Sequence, residues 1–262
     1  MAIVTPVIKK EDFKYKMSGS CNMENDEKLK IVVSENGPYV VHGDVPLSMQ
    51  VITPNKEGIS WEWKEAKSIK TPANQYRLCR CGQSKNKPFC DGSHVKVGFQ
   101  GKESATRRPY IRQAEAERGP SLTLMDAESL CAFARFCDAG KRIWDEALDG
   151  SAESKELTVR MANHCPAGRL VTWDNKTNKP IEHTLPQSIA VIEDPALGVS
   201  GPLWIRGGIQ IESHDGKPYE VRNRVTLCRC GSSNNMPFCN GSHASIKFQD
   251  GLVEFVPVES KE

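Results

Sequence analysis

Short apolar runs broken by glycine, asparagine and proline dominate both ends of the chain, and a helical period appears only in the middle. Residues 31–33 (IVV), the turn Glu35-Asn36-Gly37-Pro38 and residues 39–41 (YVV), closing at His42-Gly43, predict a β-hairpin. The pattern returns later: 189–191 lines up with 31–33, and GPLWIRG from Gly201 aligns with GPYVVHG from Gly37. Gly37 lies 42 positions before a later landmark, Cys79, whereas Gly201 lies only 27 before its counterpart Cys228. The first copy therefore carries extra residues, assigned to 51–66, where the Trp61-Glu62-Trp63 alternation predicts an added hairpin.

Residues 1–29 show no sustained period and read as a loosely held tail containing a lone thiol, Cys21. Between the copies, 103–187 opens with a charged, proline-containing arm, ESATRRPYIRQAEAERGP. Asp126 then caps a predicted helix with Leu130, Phe133, Ala134 and Cys137 at i, i+3, i+4 and i+7. A second helix is predicted over 153–163, stopping before Pro166, and HCPAGRLV turns into a strand. These patterns divide the chain into the tail (1–29), a first β-rich unit (30–102), a small helical insert (103–187) and a second β-rich unit (188–262), an α+β class overall.

Within each unit the polar positions carry chemistry. In YRLCRCGQSKNKPFCDGSH, Cys79, Cys81, Cys90 and His94 fall in a C-x-C-x8-C-x3-H pattern, and VTLCRCGSSNNMPFCNGSH repeats it with Cys228, Cys230, Cys239 and His243. Three thiols and an imidazole packed this densely on a polar loop read as metal ligands. Gly82 and Gly92 let the chain fold tightly around the site, and Pro88 stiffens the return. Cys3His is also a structural zinc set, so spacing alone leaves zinc and a two-iron cluster both open. In the second case Cys79 and Cys81 would share one iron, and Cys90 and His94 the other.

The two strings resemble the CDGSH iron-sulfur family, the mitoNEET-like proteins, whose pattern is C-x-C-x2-[ST]-x3-P-x-C-D-G-[STA]-H. The first copy fits every position, whereas the second has Asn240 where the first has Asp91. The resemblance implies a 2Fe–2S cluster on each set of three Cys and one His, so two 2Fe–2S clusters per chain. Members of that family carry one motif per chain and intertwine as dimers, so two copies imply an intramolecular pseudo-dimer and a monomeric chain. The implied role is electron transfer or cluster transfer to redox or apo-iron-sulfur protein partners. His94 and His243 would supply proton coupling and lability. A zinc-stabilised protein-interaction module is the alternative.

Asp91 and Asn240 are good N-cap residues for the helix that each Gly-Ser-His would open. Phe99 and Phe248, at matching offsets after the ligand histidines, read as ordinary core aromatics. Lysines near the first motif read as a solvated face. In the insert, Cys131, Cys137 and the later Cys165-Pro166 look like the remnant of a bacterial ferredoxin pattern in which Ala134 replaces the middle Cys. If 131–137 is helical, Cys131 and Cys137 point in different directions and are simple buried thiols. Both readings stay open.

Composition narrows the setting. A hydrophobic content of 38% suggests modest cores that bound metal would help to stabilise. A net charge of +2 gives no nucleic-acid footprint, and no apolar run is long enough for a membrane span. The first twenty residues lack a signal peptide's apolar stretch and contain no Arg, so the ten cysteines fit a reducing cytoplasm and metal ligation better than disulfides. No catalytic triad, paired carboxylates or glycine-rich phosphate loop is identifiable, so no enzymatic activity is expected.

Overall fold

The computed structural model describes residues 29–253. The expected N-terminal tail, and Cys21 with it, lies outside the described residues except for Leu29. The first unit runs β1 (Lys30–Val33), β2 (Tyr39–His42), β3 (Leu47–Pro54), β4 (Ser60–Ile69), β5 (Gln75–Leu78) and a one-turn helix α1 (Ser93–Lys96). The intervening segment holds α2 (Tyr110–Gln113), β6 (Glu115–Arg118), β7 (Leu122–Asp126), α3 (Ile143–Asp149), α4 (Ala152–His164), β8 (Leu170–Asp174) and β9 (Lys179–Pro180). The second unit repeats the first with β10 (Ser188–Asp194), β11 (Val199–Arg206), β12 (Gln210–Glu212), β13 (Arg224–Leu227) and α5 (Ser242–Ser245).

Each unit builds an antiparallel three-strand core, β1-β2-β5 and β10-β11-β13, and lends its next strand to the other. β3 pairs in parallel with β10, from Ile189↔Leu47 to Glu193↔Val51. β12 pairs in parallel with β1, from Lys30↔Gln210 to Val32↔Glu212. The two exchanges are reciprocal, so the halves are related by an approximate twofold within one chain. Neither sheet is complete without a strand from the other half. The strand order is β12-β1-β2-β5 in one sheet and β13-β11-β10-β3-β4 in the other.

The strand sequences show why one core forms. Period-2 alternation in β1 turns Ile31 and Val33 inward, and Tyr39 and Val41 of β2 do the same. These join Ile189, Val191, Leu203 and Ile205 from the other half in a single buried cluster. β10 departs from alternation and is buried on both faces. Its second face, with Ala190 and Ile192 beside Trp204 of β11, is covered by Ala134 and Phe136 of the insert and by Trp63.

The added hairpin forms as its sequence predicts, since β4 pairs antiparallel with β3 across a turn where Asn55 Oδ1 accepts from the amides of Glu57 (3.1 Å) and Ile59 (2.9 Å). Its tryptophans seat the insert. Trp63 Nε1 donates to the His164 carbonyl at 3.1 Å, and its ring centroid lies 4.8 Å from both Phe136 and Trp204. Arg160 stacks 3.8 Å over the Trp61 ring centroid and donates to the Trp61 carbonyl at 2.7 Å.

The insert itself corrects the expectation of a small helical segment. It is built on a four-strand antiparallel sheet, β6-β7-β8-β9, with α3 and α4 packed against it. The helix expected from Asp126 does not form. Asp126 ends β7 and is held by Arg169 in a bidentate pair at 2.6 and 2.7 Å. Phe133 (φ 54°) and Arg135 (φ 63°) are left-handed, which no α-helix can contain. The apolar spacing that suggested a helix serves a coiled loop instead. α4 does form over Ala152–His164, capped by Ser151 Oγ accepting from Ser154 N at 3.1 Å, and it ends before Pro166.

Replacing Trp63 with alanine should lower stability by about 2–3 kcal/mol, below a fully buried Trp truncation because the ring is half-buried. Amide exchange should rise most at the C-terminal turn of α4. Unchanged denaturant midpoint and exchange would show that the hairpin does not anchor the insert.

Candidate metal centres

Each motif begins where a strand ends. Cys79 follows β5 and Cys228 follows β13, and both loops are closed by the same bonds. Cys79 N donates to Pro88 O (2.8 Å) and Cys90 N to Arg77 O (2.9 Å), while Cys228 N donates to Pro237 O and Cys239 N to Thr226 O, both at 2.9 Å. Inside each loop a serine repeats one network. Ser84 Oγ donates to Phe89 O at 2.6 Å and accepts from Asn86 N at 3.0 Å, and Ser233 does the same with Phe238 and Asn235 at identical distances. This is the physical content of the [ST] position in the pattern.

The N-caps of α1 and α5 are the left-handed Gly92 (φ 86°) and Gly241 (φ 85°), not Asp91 and Asn240 as the sequence suggested. The two side chains still serve the helix starts. Asp91 accepts from the Ser93 amide (2.9 Å) and the Lys85 amide (2.8 Å), which holds its carboxyl well below the usual range. Asn240 accepts from the Ser242 amide at 3.2 Å.

The eight predicted donors fall into four close pairs. Cys79 Sγ lies 3.8 Å from Cys81 Sγ, and Cys90 Sγ lies 3.4 Å from His94 Nδ1. In the second motif Cys228 and Cys230 are 3.6 Å apart, and Cys239 Sγ is 3.5 Å from His243 Nδ1. A single tetrahedral zinc with thiolates at about 2.3 Å would draw its donors to within about 3.8 Å of one another. Among the described residues no three His, Cys, Asp or Glu converge in that way. Each motif thus presents its donors as two close pairs on one loop.

The electrostatics call for a bound cation at each motif. Burial pushes the Cys81 thiol up to about 11 and raises Cys90 and Cys239. In the buried second pair, the hydrogen bond from Cys230 draws Cys228 down to about 6, and the same bond, with burial, drives Cys230 upward. Two adjacent thiolates in such a site need a cation to ionise together. Burial, then the charge of Arg229, lowers His243 to about 4, so its ring is neutral at pH 7 and able to ligate. The amides of Gln83 and Gly92 approach Cys81 and Cys90 at 3.5 Å, and that of Gly241 approaches Cys239 at 3.4 Å, each favouring a negative sulfur.

The two centres differ in their surroundings. Cys90 and His94 are half-exposed and border a surface groove with Ser34, Pro38 and Arg77. Cys239 and His243 are only 3% and 4% exposed, because the insert loop at Ala132 packs on Cys239. The arginines between the paired cysteines are buried clamps. Arg80 donates to the Ser34 carbonyl at 3.0 Å and to that of Gly101, and no carboxylate pairs with it among the described residues. Arg229 pairs with Glu193 at 2.7 Å and also with Asp250, and donates to Gly201 O at 2.7 Å. Phe248 packs on Cys228 and Cys230, with Phe99 beside it, so these aromatics border the second centre.

Sequence reasoning missed the contact between the loops. A Cβ on Gly82 (φ 76°) would stand 2.7 Å from the Cys230 carbonyl oxygen, and one on Gly231 (φ 82°) would stand 2.6 Å from that of Cys81. The C-x-C-G turns therefore meet back to back across the twofold. The only signal was a glycine after the second cysteine of both copies.

Fold and site together define a duplicated metal-binding protein, with two soft-donor loops carried on one strand-exchanged body. Residues 36–95 and 200–244 match the iron-binding zinc finger of CDGSH type, so the chain carries two such domains, of a kind that typically binds 2Fe–2S. No curated protein and no solved structure matches the chain. No helix among the described residues is long and apolar enough to cross a membrane.

Gly82→Ala and Gly231→Ala should each destabilise the chain by about 2–3 kcal/mol, combining positive-φ strain with a backbone clash. Gly92→Ala, which meets nothing within 4 Å, should lose only the strain, about 1 kcal/mol. Denaturant unfolding of the three variants separates the terms. Equal losses would contradict tight contact between the loops.

Proposed function

We propose that Cys79, Cys81, Cys90 and His94 hold one 2Fe–2S cluster, that Cys228, Cys230, Cys239 and His243 hold a second, and that the chain passes electrons or whole clusters to protein partners. The paired donors carry this reading, because each motif presents two ligand pairs rather than one convergent set. When bound, such a cluster would supply one-electron chemistry, gaining one negative charge on reduction and losing it on reoxidation. The protein's contribution is to set where that charge is best tolerated.

The first motif is built for exchange. Its Cys90 and His94 border the surface groove, where the charges of Arg77 and Asp91 oppose each other, and the buried, carboxylate-free Arg80 adds a positive charge behind Ser34. The second motif is built for retention, with Cys239 and His243 buried and the charge of Arg229 offset by Glu193 and Asp250. Solvent access and net local charge both favour the reduced state at the first motif. We read the first motif as the partner-facing site and assign the chain no substrate chemistry of its own. Because β3 and β12 are exchanged within one chain, both halves are complete without a second copy, and we propose a monomer.

Redox titration should resolve two one-electron steps, with the more positive step belonging to the first motif. His94→Cys replaces a neutral ligand by an anion and should move that step negative while leaving the other in place, and His243→Cys should do the converse. A single unresolved step, or a shift of both by either variant, would contradict independent sites. In mild acid the visible absorption should fall in two phases. The faster should belong to the exposed His94 site and should be slowed by His94→Cys, since water reaches that ring and not His243. One phase, or loss of the buried site first, would contradict the assignment. Zinc in place of iron in the purified chain would favour the interaction-module reading.

A further inference from the structure

The insert gathers three thiols that the two motifs do not use. Cys131, Cys137 and Cys165 line one small cavity of about 30 Å³, partly open to solvent, together with Ala134 and Pro166. They arrive by separate routes. A 3-10 turn over Glu128–Leu130 ends at Cys131. The left-handed Phe133 and Arg135 coil the next residues back so that Cys137 borders the same space. Cys165 comes from the end of α4, where its amide donates to Ala162 O at 3.1 Å and its carbonyl accepts from Gly168 N at 3.2 Å and from Arg224 Nε at 2.8 Å.

The loop also leaves donors idle. Ala132, Ala134 and Phe136 are buried, yet among the described residues no acceptor is recorded for their amides. Buried amides without acceptors are rare, and loops that alternate left-handed with ordinary residues are known cradles for anions, iron-sulfur clusters included. Arg169 lines the same cavity, so a fixed positive charge stands beside the three thiols. His164 is engaged elsewhere, with Nδ1 2.9 Å from Arg160 O and Nε2 3.5 Å from Glu62. The donor set is therefore three sulfurs.

We propose that Cys131, Cys137 and Cys165 are the protein ligands of a third iron–sulfur cluster, of three or four irons, set beside the second motif. Ala132, Ala167 and Cys239 pack together between the two sites, and the Cys131 carbonyl oxygen lies 3.4 Å from the Cβ position of Gly241. The second motif thus stands between the insert site and the first motif. This site rests on its own thiols and does not depend on what the two motifs bind.

The test is iron and acid-labile sulfide analysis of the full chain purified without oxygen, alongside Cys137→Ser and Cys165→Ser. The parent should hold seven or eight irons, and each variant should fall to four while keeping the visible spectrum of the two motifs. A Cys79→Ser/Cys228→Ser chain should retain three or four irons. Should the serine variants fail to fold, Mössbauer spectroscopy of the parent decides, since irons of a larger cluster differ from those of 2Fe–2S pairs. A parent with four irons unchanged by Cys137→Ser, Mössbauer spectra showing 2Fe–2S iron alone, or one zinc bound at these thiols would overturn the proposal.

Discussion

Close contact between the two C-x-C-G turns is the constraint on which the rest of the molecule depends. At Gly82 and Gly231 the backbone of one motif passes so near the carbonyl of the other that no side chain fits between them. Such an approach is possible only if the strands leading in, β5 and β13, are held at a fixed separation and angle. The parallel pairings β1 with β12 and β3 with β10 supply that frame by tying each half to the other at both edges. Tyr39 adds a direct tie, since its one hydroxyl proton is shared between Cys228 O at 2.7 Å and Pro237 O at 3.0 Å, so a first-half core residue braces the second motif.

On this symmetric body the insert imposes asymmetry. It covers the outer face of β10 and β11 and the His243 side of the second motif, and leaves the matching side of the first motif in solvent. The same asymmetry reaches the buried arginines. Arg229 gains Glu193 and Asp250, while Arg80 is held by carbonyls and by the Tyr39 and Phe99 rings, each 5.7 Å away. Two sites with the same ligands are thus given different charge and different access to water. A duplicated sequence needs some such device if its copies are to do different things.

Much of the site was legible in the sequence because it is local. All four candidate donors of each motif lie on one loop, so the spacing already brought them together, while leaving one metal ion or two open. The hairpins and the extra strand were legible from turn residues and from the alignment of the two copies. What stayed hidden depends on distant segments. The Asp126 to Cys137 helix failed because apolar spacing cannot report the left-handed Phe133 and Arg135, and because Arg169, far along the chain, holds Asp126 at a strand end. The inward turn of Arg80 and Arg229 was hidden because a charged residue between two cysteines reads as surface until its carbonyl and carboxylate partners are brought up by other strands.

Magnetic coupling between the two motif clusters tests the account most directly, because dipolar interaction falls off steeply with distance. Electron paramagnetic resonance of the fully reduced chain should show signals split by a neighbouring spin, with the same splitting on serial dilution and in the Cys137→Ser variant. Two uncoupled signals, or a splitting that disappears on dilution, would contradict loops that meet back to back within one chain.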